Sequence, residues 1–327
     1  MKSQSKSYAF LLIIVLFIVS GTFNKSMAQN FQKKPINQLI LPDKNEINFV
    51  WLSDSVGEKL EPHSALLIPV KIADCPKQFY MQFDLGSSYS MFYDAKINAI
   101  KSKYPKNIHT NDSLTKLSNL HFTIGKNKII ANDIFLKKLG NPKINWNDKK
   151  SIEIIGTFGV DFIQNKTLTI NYPEKKILIQ DLIPEKLISK ITLADFMFVQ
   201  NSILLPTVIK GKKTMLYFDT GSSAYELLTN KETCTLLAEP NTESTQYKVK
   251  SWDKFLIANT FITKEKIEIA GLEMPLNKVT YIDGASNSQI DQMMKMGMGG
   301  MTGNKLFLNH ILFIDIKMKK FGVLKVK

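Results

Sequence analysis

The chain has 327 residues, a formal net charge of +14 and no arginine, so all of its 43 basic residues are lysines. The lysines are scattered and do not alternate with aromatic residues, which argues against a nucleic-acid-binding protein and favours a solvated basic surface. The length suits two domains of ordinary size.

The first 28 residues predict a secretory signal peptide. Lys2 and Lys6 precede an apolar run, residues 9–19, and a Ser-Met-Ala sequence ending at Ala28 supplies small residues for cleavage. The apolar run is shorter than the roughly 20 residues that span a bilayer, and no later apolar segment is long enough either. We therefore expect an exported protein, periplasmic or secreted, with no integral membrane segment in the mature chain.

Most of the remaining sequence predicts β-strands, because runs of apolar and polar residues alternate between turns rich in Gly, Asn, Lys and Pro. The clearest predicted strands are 47–52, 65–72, 79–84, 121–124, 129–136, 167–172, 176–179, 203–209, 215–219, 266–269, 278–282 and 311–316. Short helices are expected at 94–103 and 230–238, with Asn230 as the N-cap of the second. The pattern is typical of an all-β protein.

Two six-residue segments are nearly identical, and each begins with the end of a predicted strand. Residues 83–88 read Phe-Asp-Leu-Gly-Ser-Ser, and residues 218–223 read Phe-Asp-Thr-Gly-Ser-Ser. A second pair of similar, glycine-containing segments follows downstream, at 155–162 and 299–306. The sequence therefore predicts an internal duplication in which each half carries the same two landmarks in the same order.

The repeated aspartates predict a pair of interacting carboxyl groups. Gly86 follows Asp84 by two positions and Gly221 follows Asp219 by two, which favours a tight turn at the end of each strand. If the two turns meet, the two carboxyl groups cannot both ionise cheaply, so they share a proton. One acid and one base are what hydrolysis by an activated water requires.

These motifs resemble those of the pepsin-like and retropepsin-like aspartic peptidases, exported bacterial members included, in which each lobe contributes one Asp-Thr/Ser-Gly loop. The resemblance covers most of the chain from about residue 46. It implies an all-β, two-lobed fold in which each lobe is a closed β-barrel-like domain and a pseudo-twofold axis relates the lobes. After the predicted signal peptide, 1–28, it divides the chain into an N-terminal lobe, 29–185, and a C-terminal lobe, 186–327.

The resemblance implies an aspartic endopeptidase, a hydrolase that cleaves peptide bonds with a water activated between Asp84 and Asp219. It implies a peptide or protein substrate and a monomer, with no cofactor, no metal and no nucleic acid. Neither the side-chain preference of such an enzyme nor its pH optimum can be read from the sequence.

The resemblance also assigns supporting roles. The hydroxyls of Ser87 and Ser222 are expected to bond the outer carboxylate oxygens, and that of Thr220 to reach the backbone of the opposite loop. Leu85 stands at the matching position of the first loop and has no hydroxyl. A noncatalytic peptide-binding protein on the same scaffold therefore stays open as the alternative, as does a structural surface domain.

The remaining motifs are weaker. A hairpin flap over the cleft is expected between about residues 113 and 130, where there is no tyrosine. The four histidines are too far apart in sequence for a metal site, and no Gly-x-Ser-x-Gly serine nucleophile is present. Cys75 and Cys234 fit neither a zinc site nor a redox Cys-x-x-Cys, and two free thiols are favoured over a disulfide.

Overall fold

The computed structural model describes residues 38–41, 44–56, 59–110, 115–183, 188–251, 254–283 and 297–326. The protein is mostly β: 53% of the described residues lie in strands, and the sheets curl as half-barrels. The predicted all-β, two-lobed fold is confirmed. The predicted signal peptide lies outside the described residues, and the boundary between lobes at residue 185 stays a prediction.

The first sheet has 11 described strands, all from the first half of the chain. They are β1 (Gln38–Ile40), β3 (Val50–Val56), β4 (Lys59–Ile72), β5 (Phe79–Phe83), β6 (Met91–Tyr93), β7 (His109–Thr110), β8 (Lys116–Ser118), β9 (Leu120–Ile124), β10 (Asn127–Asn132), β11 (Ile134–Lys137) and β12 (Ile154–Phe158). Their order is β1-β10-β9-β4-β5-β12-β6-β11-β8-β7, and β3 pairs with β4 beside this path.

A second sheet has ten described strands, all from the second half. They are β16 (Met197–Val199), β17 (Ser202–Ile209), β18 (Lys212–Phe218), β19 (Leu227–Leu228), β20 (Thr245–Ser251), β21 (Lys254–Ile262), β22 (Lys266–Ile269), β23 (Leu272–Pro275), β24 (Lys278–Asp283) and β25 (Met298–Thr302). Their order is β20-β21-β24-β19-β25-β18-β17-β22-β23, with β16 paired to β17.

The third sheet joins the two halves. Its six described strands are β2 (Lys44–Asn48), β13 (Thr167–Asn171), β14 (Lys176–Gln180), β15 (Ala194–Asp195), β26 (His310–Asp315) and β27 (Lys320–Lys325). The central pair is β13 with β26, one strand from each half, and their antiparallel register runs from Thr167 opposite Asp315 to Asn171 opposite Ile311. The backbone hydrogen bonds of this sheet hold the two lobes together.

The first two sheets repeat one pairing scheme. Strand β5 runs parallel to β12, which is antiparallel to β6, and β18 runs parallel to β25, which is antiparallel to β19. Likewise β11 is parallel to β6 and antiparallel to β8, as β24 is to β19 and β21. Each aspartate loop therefore begins where two parallel strands end side by side.

Two predicted strands are each divided in the structure. The predicted strand 47–52 breaks at Phe49, where the chain leaves the six-stranded sheet and enters the first sheet; the Phe49 N–H donates to Lys175 O at 3.0 Å. The predicted strand 129–136 breaks at Asp133, whose φ of 52° lies in the left-handed region and separates β10 from β11.

The two predicted helices are confirmed as α1 (Asp94–Lys103) and α2 (Lys231–Leu237). The Asn230 side chain caps α2 by accepting a hydrogen bond of 2.8 Å from the Thr233 N–H, because the first N–H groups of a helix have no partner within it. Neither of these two helices, in the part of the chain that the structure describes, is long and apolar enough to cross a bilayer.

The buried core is continuous through both halves and rich in phenylalanine. Phe158 stacks on Phe162 with ring centroids 4.2 Å apart in the first half, and Phe218 meets Phe307 edge to face at 5.6 Å in the second. Phe83 and Phe218, which end the strands before the two aspartates, are fully buried. Each loop therefore starts from a strand end that is held in packed core.

Candidate active site

The first aspartate loop is a tight turn at the end of β5. The Asp84 N–H donates to Phe158 O on the neighbouring strand at 2.9 Å, and the Ser87 N–H returns to Asp84 O at 3.1 Å. The Gly86 N–H donates to the Asp84 Oδ1 at 2.9 Å. The turn therefore fixes both the backbone and one carboxyl oxygen of Asp84.

The second loop makes the same three bonds at the end of β18. The Asp219 N–H donates to Thr302 O at 2.9 Å, and the Ser222 N–H donates to Asp219 O at 3.1 Å. The Gly221 N–H donates to the Asp219 Oδ1 at 2.7 Å. Both loops therefore present their carboxyl groups in the same way.

The two carboxyl groups meet across the loops. Asp84 and Asp219 are both fully buried, and their carboxyl groups lie close enough for each to perturb the pKa of the other. Each glycine stands directly against the opposite aspartate, because a Cβ on Gly86 would lie less than 3 Å from the Asp219 carboxyl group and one on Gly221 less than 3 Å from that of Asp84. These two positions require glycine because any side chain would separate the carboxyl groups.

The second glycine landmark of each half supports its loop from behind. A Cβ on Gly159 would lie 2.6 Å from Ser87 O, and one on Gly303 would overlap Ser222 O. The Val160 N–H also donates to Ser87 O at 2.9 Å. The glycines allow the downstream segment to pack against the loop backbone, which explains why the two landmarks recur in the same order in the sequence.

Burial raises the pKa of both aspartates. For Asp84 the loss of hydration is the largest cause, and the neighbouring Asp219 charge and the hydrogen bond between the two carboxyl groups raise its pKa further, to well above the ordinary value. For Asp219 burial also raises the pKa, but hydrogen bonds from Asp84, Gly221 and Ser222 oppose it. The hydrogen bonding therefore favours the ionised form more strongly at Asp219 than at Asp84.

The two serines do not behave alike. The Ser222 hydroxyl donates to the Asp219 Oδ2 at 3.0 Å, as the resemblance implies. The Ser87 hydroxyl donates instead to Tyr89 O at 2.8 Å, so its expected bond to the carboxylate is wrong. The Asp84 Oδ2 consequently receives no hydrogen bond from an N–H or hydroxyl group of any described residue.

Thr220 connects the two loops. Its hydroxyl donates to Phe83 O at 2.8 Å and accepts from the Leu85 N–H at 2.8 Å. Leu85 is fully buried in the hydrophobic core and offers no hydroxyl in return. The expected contact of Thr220 with the opposite backbone is therefore present, and the first loop makes no matching one through Leu85.

Tyr217 is a site residue that the sequence reasoning missed. It lies on β18, and its hydroxyl donates to Gly86 O at 3.0 Å. Burial raises its pKa above the ordinary value, followed by the charges of the two aspartates, so the hydroxyl stays protonated. A tyrosine two positions before Asp219, in an otherwise apolar strand end, was the available signal, because a buried tyrosine hydroxyl needs a partner.

Asn304 is a second missed residue. Its side-chain NH₂ donates to Thr220 O at 2.8 Å and to the Ser223 hydroxyl at 3.0 Å, and its carbonyl oxygen accepts from the Tyr172 hydroxyl at 2.7 Å. Tyr172 directly follows β13. The second loop is therefore bonded to the end of a six-stranded-sheet strand from the other half of the chain.

The hairpin formed by β9 and β10 does not lie over the aspartate loops, so the prediction that it forms the flap is wrong. Strand β9 pairs with Lys71 and Ile72, whereas Asp84 lies near Leu67, which pairs with Gln82. Four residues of strand, roughly 13 Å, separate these two ends of β4. The turn of the hairpin packs near β2 of the six-stranded sheet. Residues 111–114, between β7 and β8 in sequence, lie outside the described residues.

Other chemistry is not assembled in the described part of the chain. No group of three or more His, Cys, Asp or Glu side chains there is placed to hold a metal ion. Cys75 and Cys234 are both buried free thiols, and burial raises the pKa of each, which makes them poor nucleophiles.

No protein-family model matches the sequence, and no curated protein matches it. A solved structure similar to this chain is the aspartic proteinase from Irpex lacteus, at 10% sequence identity and a TM-score of 0.46, with 87% of this chain and 98% of that chain covered. The all-β, two-lobed fold of this chain rests on its own sheets, and its function has to be argued from the site.

Proposed function

We propose that this protein is an aspartic endopeptidase in which Asp84 and Asp219 activate a water for peptide-bond hydrolysis. One observation carries the proposal: two fully buried carboxyl groups meet across two loops of the same geometry, each directly against the glycine of the opposite loop. Burying two carboxyl groups against each other is costly for stability, so a purely structural role gives no reason for the arrangement.

The unequal hydrogen bonding assigns the roles. Asp219 has three donors in its own loop and is the base that takes a proton from water as the water oxygen attacks the carbonyl carbon. Asp84 holds the shared proton and gives it to the carbonyl oxygen, which forms a tetrahedral diol. Collapse of the diol breaks the C–N bond; Asp219 then gives its proton to the leaving nitrogen, and one diol hydroxyl returns a proton to Asp84.

The test is cleavage of a diverse peptide pool by the mature protein, followed by mass spectrometry, with and without pepstatin. We expect Asp84→Asn and Asp219→Asn each to lower kcat/KM by at least about 10³-fold, because an amide is neither the acid nor the base. Asp195→Asn, which changes an exposed partner of Lys320, is the matched control and should leave cleavage unchanged.

The pH dependence gives a second readout. Activity needs Asp219 ionised and Asp84 protonated, so the rate should fall both below the pKa of Asp219 and above that of Asp84. Because burial raises both pKa values, both limbs of the profile should lie above the pKa of an ordinary aspartate, about 3.9. Full activity of Asp219→Asn, or a rate insensitive to pH across this range, would contradict the assignment.

A noncatalytic peptide-binding protein is the second candidate. Two features of the first loop favour it. Leu85 has no hydroxyl to bond the second loop, and the Ser87 hydroxyl bonds Tyr89 O instead of a carboxylate. This candidate predicts that the wild-type protein binds peptides from the pool without cleaving them, and that pepstatin changes no product.

A further inference from the structure

A small cavity borders the second aspartate loop. It measures about 170 Å³ and lies between the hairpin of β3 and β4, from the first half, and the strands β20, β21 and β24 of the second half. Residues from both sides line it; those that matter most are Glu61, Tyr225, Tyr247, Thr260, Thr280 and Lys305. A drug-sized ligand needs about 300 Å³ or more, so this volume suits a single side chain.

Two hydrogen bonds connect the cavity to the dyad. The Tyr225 N–H donates to Ser222 O at 3.4 Å, and the Ser222 hydroxyl donates to the Asp219 Oδ2 at 3.0 Å. A side chain in the cavity therefore belongs to a peptide residue close to the bond that the dyad attacks.

The Tyr225 hydroxyl is buried beside the Tyr247 hydroxyl and makes no hydrogen bond of ordinary length with any described residue. Tyr225 is 3% exposed, and burial, followed by the neighbouring Tyr247 and Glu61, raises its pKa well above the ordinary value, so the hydroxyl remains a donor. A buried polar group without a partner costs free energy that a bound partner recovers.

The rest of the lining mixes three apolar side chains, Leu60, Ala224 and Ile262, with polar ones whose formal charges balance. The Tyr247 and Thr260 hydroxyls bond each other at 2.8 Å, and Thr260 bonds Thr280 at 2.8 Å. Glu61 is already paired with Lys305 across the two halves. Two glutamates and two lysines line the cavity in all, so their formal charges cancel.

We propose that this cavity is a substrate subsite that prefers a neutral hydrogen-bonding side chain, with glutamine or asparagine as the best match, and that Tyr225 determines the preference. The proposal rests on the proposed peptidase function. A carboxamide both donates and accepts, so it satisfies the Tyr225 hydroxyl and the neighbouring hydroxyls together. An apolar side chain leaves Tyr225 without a partner, and a charged one enters a lining whose formal charges cancel and in which Glu61 and Lys305 are already paired.

The test uses octapeptide mixtures in which one position is fixed as glutamine or as methionine, a side chain of similar length, and the other seven are randomised. At one position near the cleaved bond, the wild-type protein should cleave the glutamine mixture roughly three- to tenfold faster than the methionine mixture, the factor expected for one neutral hydrogen bond. Equal rates at every position would overturn the proposal.

Tyr225→Phe keeps the ring and removes only the hydroxyl. We expect it to bring the two rates within about twofold of each other by slowing glutamine cleavage, with methionine cleavage unchanged. Tyr281→Phe is the matched control, because Tyr281 follows the cavity residue Thr280 on β24 and so points to the opposite face of the sheet. A preference that survives Tyr225→Phe would exclude Tyr225 as its cause.

A binding measurement separates this proposal from the proposed function. The same mixtures are bound to the Asp219→Asn variant, where the glutamine mixture should bind more tightly by a similar factor and Asp219→Asn/Tyr225→Phe should lose the difference. If the wild-type protein cleaves nothing but this difference is present, the peptidase proposal fails and the subsite stands. If the wild-type protein cleaves peptides but neither measurement shows a glutamine preference, the subsite proposal fails and the peptidase proposal stands.

Discussion

The two aspartate loops share a backbone and differ in their side chains. In both, the aspartate N–H bonds the adjacent parallel strand and the glycine N–H bonds the carboxyl group. In the second loop, Ser222 bonds the carboxylate and Thr220 bonds the opposite loop. In the first loop, Ser87 bonds Tyr89 O and Leu85 lies in the core.

The difference shows that hydrogen bonds from the second half of the chain can hold both loops in place. The hydrogen bonds between a side chain of one loop region and the backbone of the other that are described above all use second-half side chains: Thr220 bonds Phe83 and Leu85, and Tyr217 bonds Gly86. The first loop is therefore held at three backbone positions by its partner. Leu85 has no hydroxyl to return such a bond, so the connection between the two loops is asymmetric.

The largest effect on this comparison should come from Thr220→Val, which keeps the shape and removes the hydroxyl. It leaves the Phe83 carbonyl and the Leu85 N–H without their partner, and each unsatisfied buried group costs about 1 to 3 kcal/mol. We expect the free energy of unfolding to fall by about 2 to 5 kcal/mol in urea denaturation.

Thr207→Val is the matched control for that experiment. Thr207 is also a buried strand threonine, but its hydroxyl makes one long bond, 3.4 Å, to Thr214 O and lies on β17 away from the loops. It should lose less than about 1.5 kcal/mol. Equal losses in the two variants would mean that Thr220 is an ordinary buried threonine and not the connection between loops.

The next largest effect should come from Ser222→Ala, and comparison with Ser87→Ala should show how the two loops differ. Ser222→Ala removes a hydrogen bond to the charged Asp219, worth about 1.5 to 3 kcal/mol, and raises the pKa of Asp219 because that bond favours the ionised form. The acid limb of the pH–rate profile should therefore move to higher pH. Ser87→Ala should move neither limb, since its hydroxyl touches no carboxylate. An equal shift in both variants would refute the asymmetry.

The sequence was informative where short patterns determine local structure. Both helices, the Asn230 cap and most central strands follow from alternation and capping, and the pairing of the aspartates follows from two copies of one loop. Breaks such as the one at Asp133 were not predictable, because they depend on a left-handed residue in an otherwise continuous β pattern. The six-stranded sheet was not predictable either, because it pairs strands far apart in sequence.

Within the site, the direction of a hydroxyl was the unpredictable part. Ser87 and Ser222 occupy the same place in the repeat, yet one bonds a carbonyl oxygen of its own loop and the other a carboxylate. Such rotamer choices depend on neighbours that the motif does not contain. The flap was misplaced for a related reason, because strand β4 continues well past the loop and carries the hairpin of β9 and β10 away from the cleft.

Leu85→Thr and Leu85→Val together test whether the first loop can regain a hydroxyl brace. Threonine and valine have nearly the same shape, so the difference between the two variants isolates the hydroxyl. Because Leu85 is fully buried in apolar core, we expect Leu85→Thr to be less stable than Leu85→Val by about 1 to 3 kcal/mol in thermal and urea unfolding. A threonine variant that is more stable and cleaves peptides faster would show instead that the hydroxyl reaches the second loop.

The smallest expected effect is that of Tyr217→Phe, and it tests whether the brace also acts on the chemistry. The change removes one neutral hydrogen bond, to Gly86 O, and should lower the free energy of unfolding by about 0.5 to 1.5 kcal/mol.

The Gly86 N–H in turn bonds the Asp84 Oδ1 and lowers the pKa of Asp84. A looser Gly86 should therefore raise the pKa of Asp84 and move the alkaline limb of the pH–rate profile to higher pH, while the acid limb, set by Asp219, stays in place. Tyr80→Phe, on β5 and further from the loop, should move neither limb. If Tyr217→Phe lowers stability and leaves both limbs unchanged, the second half holds the first loop in place without tuning its aspartate.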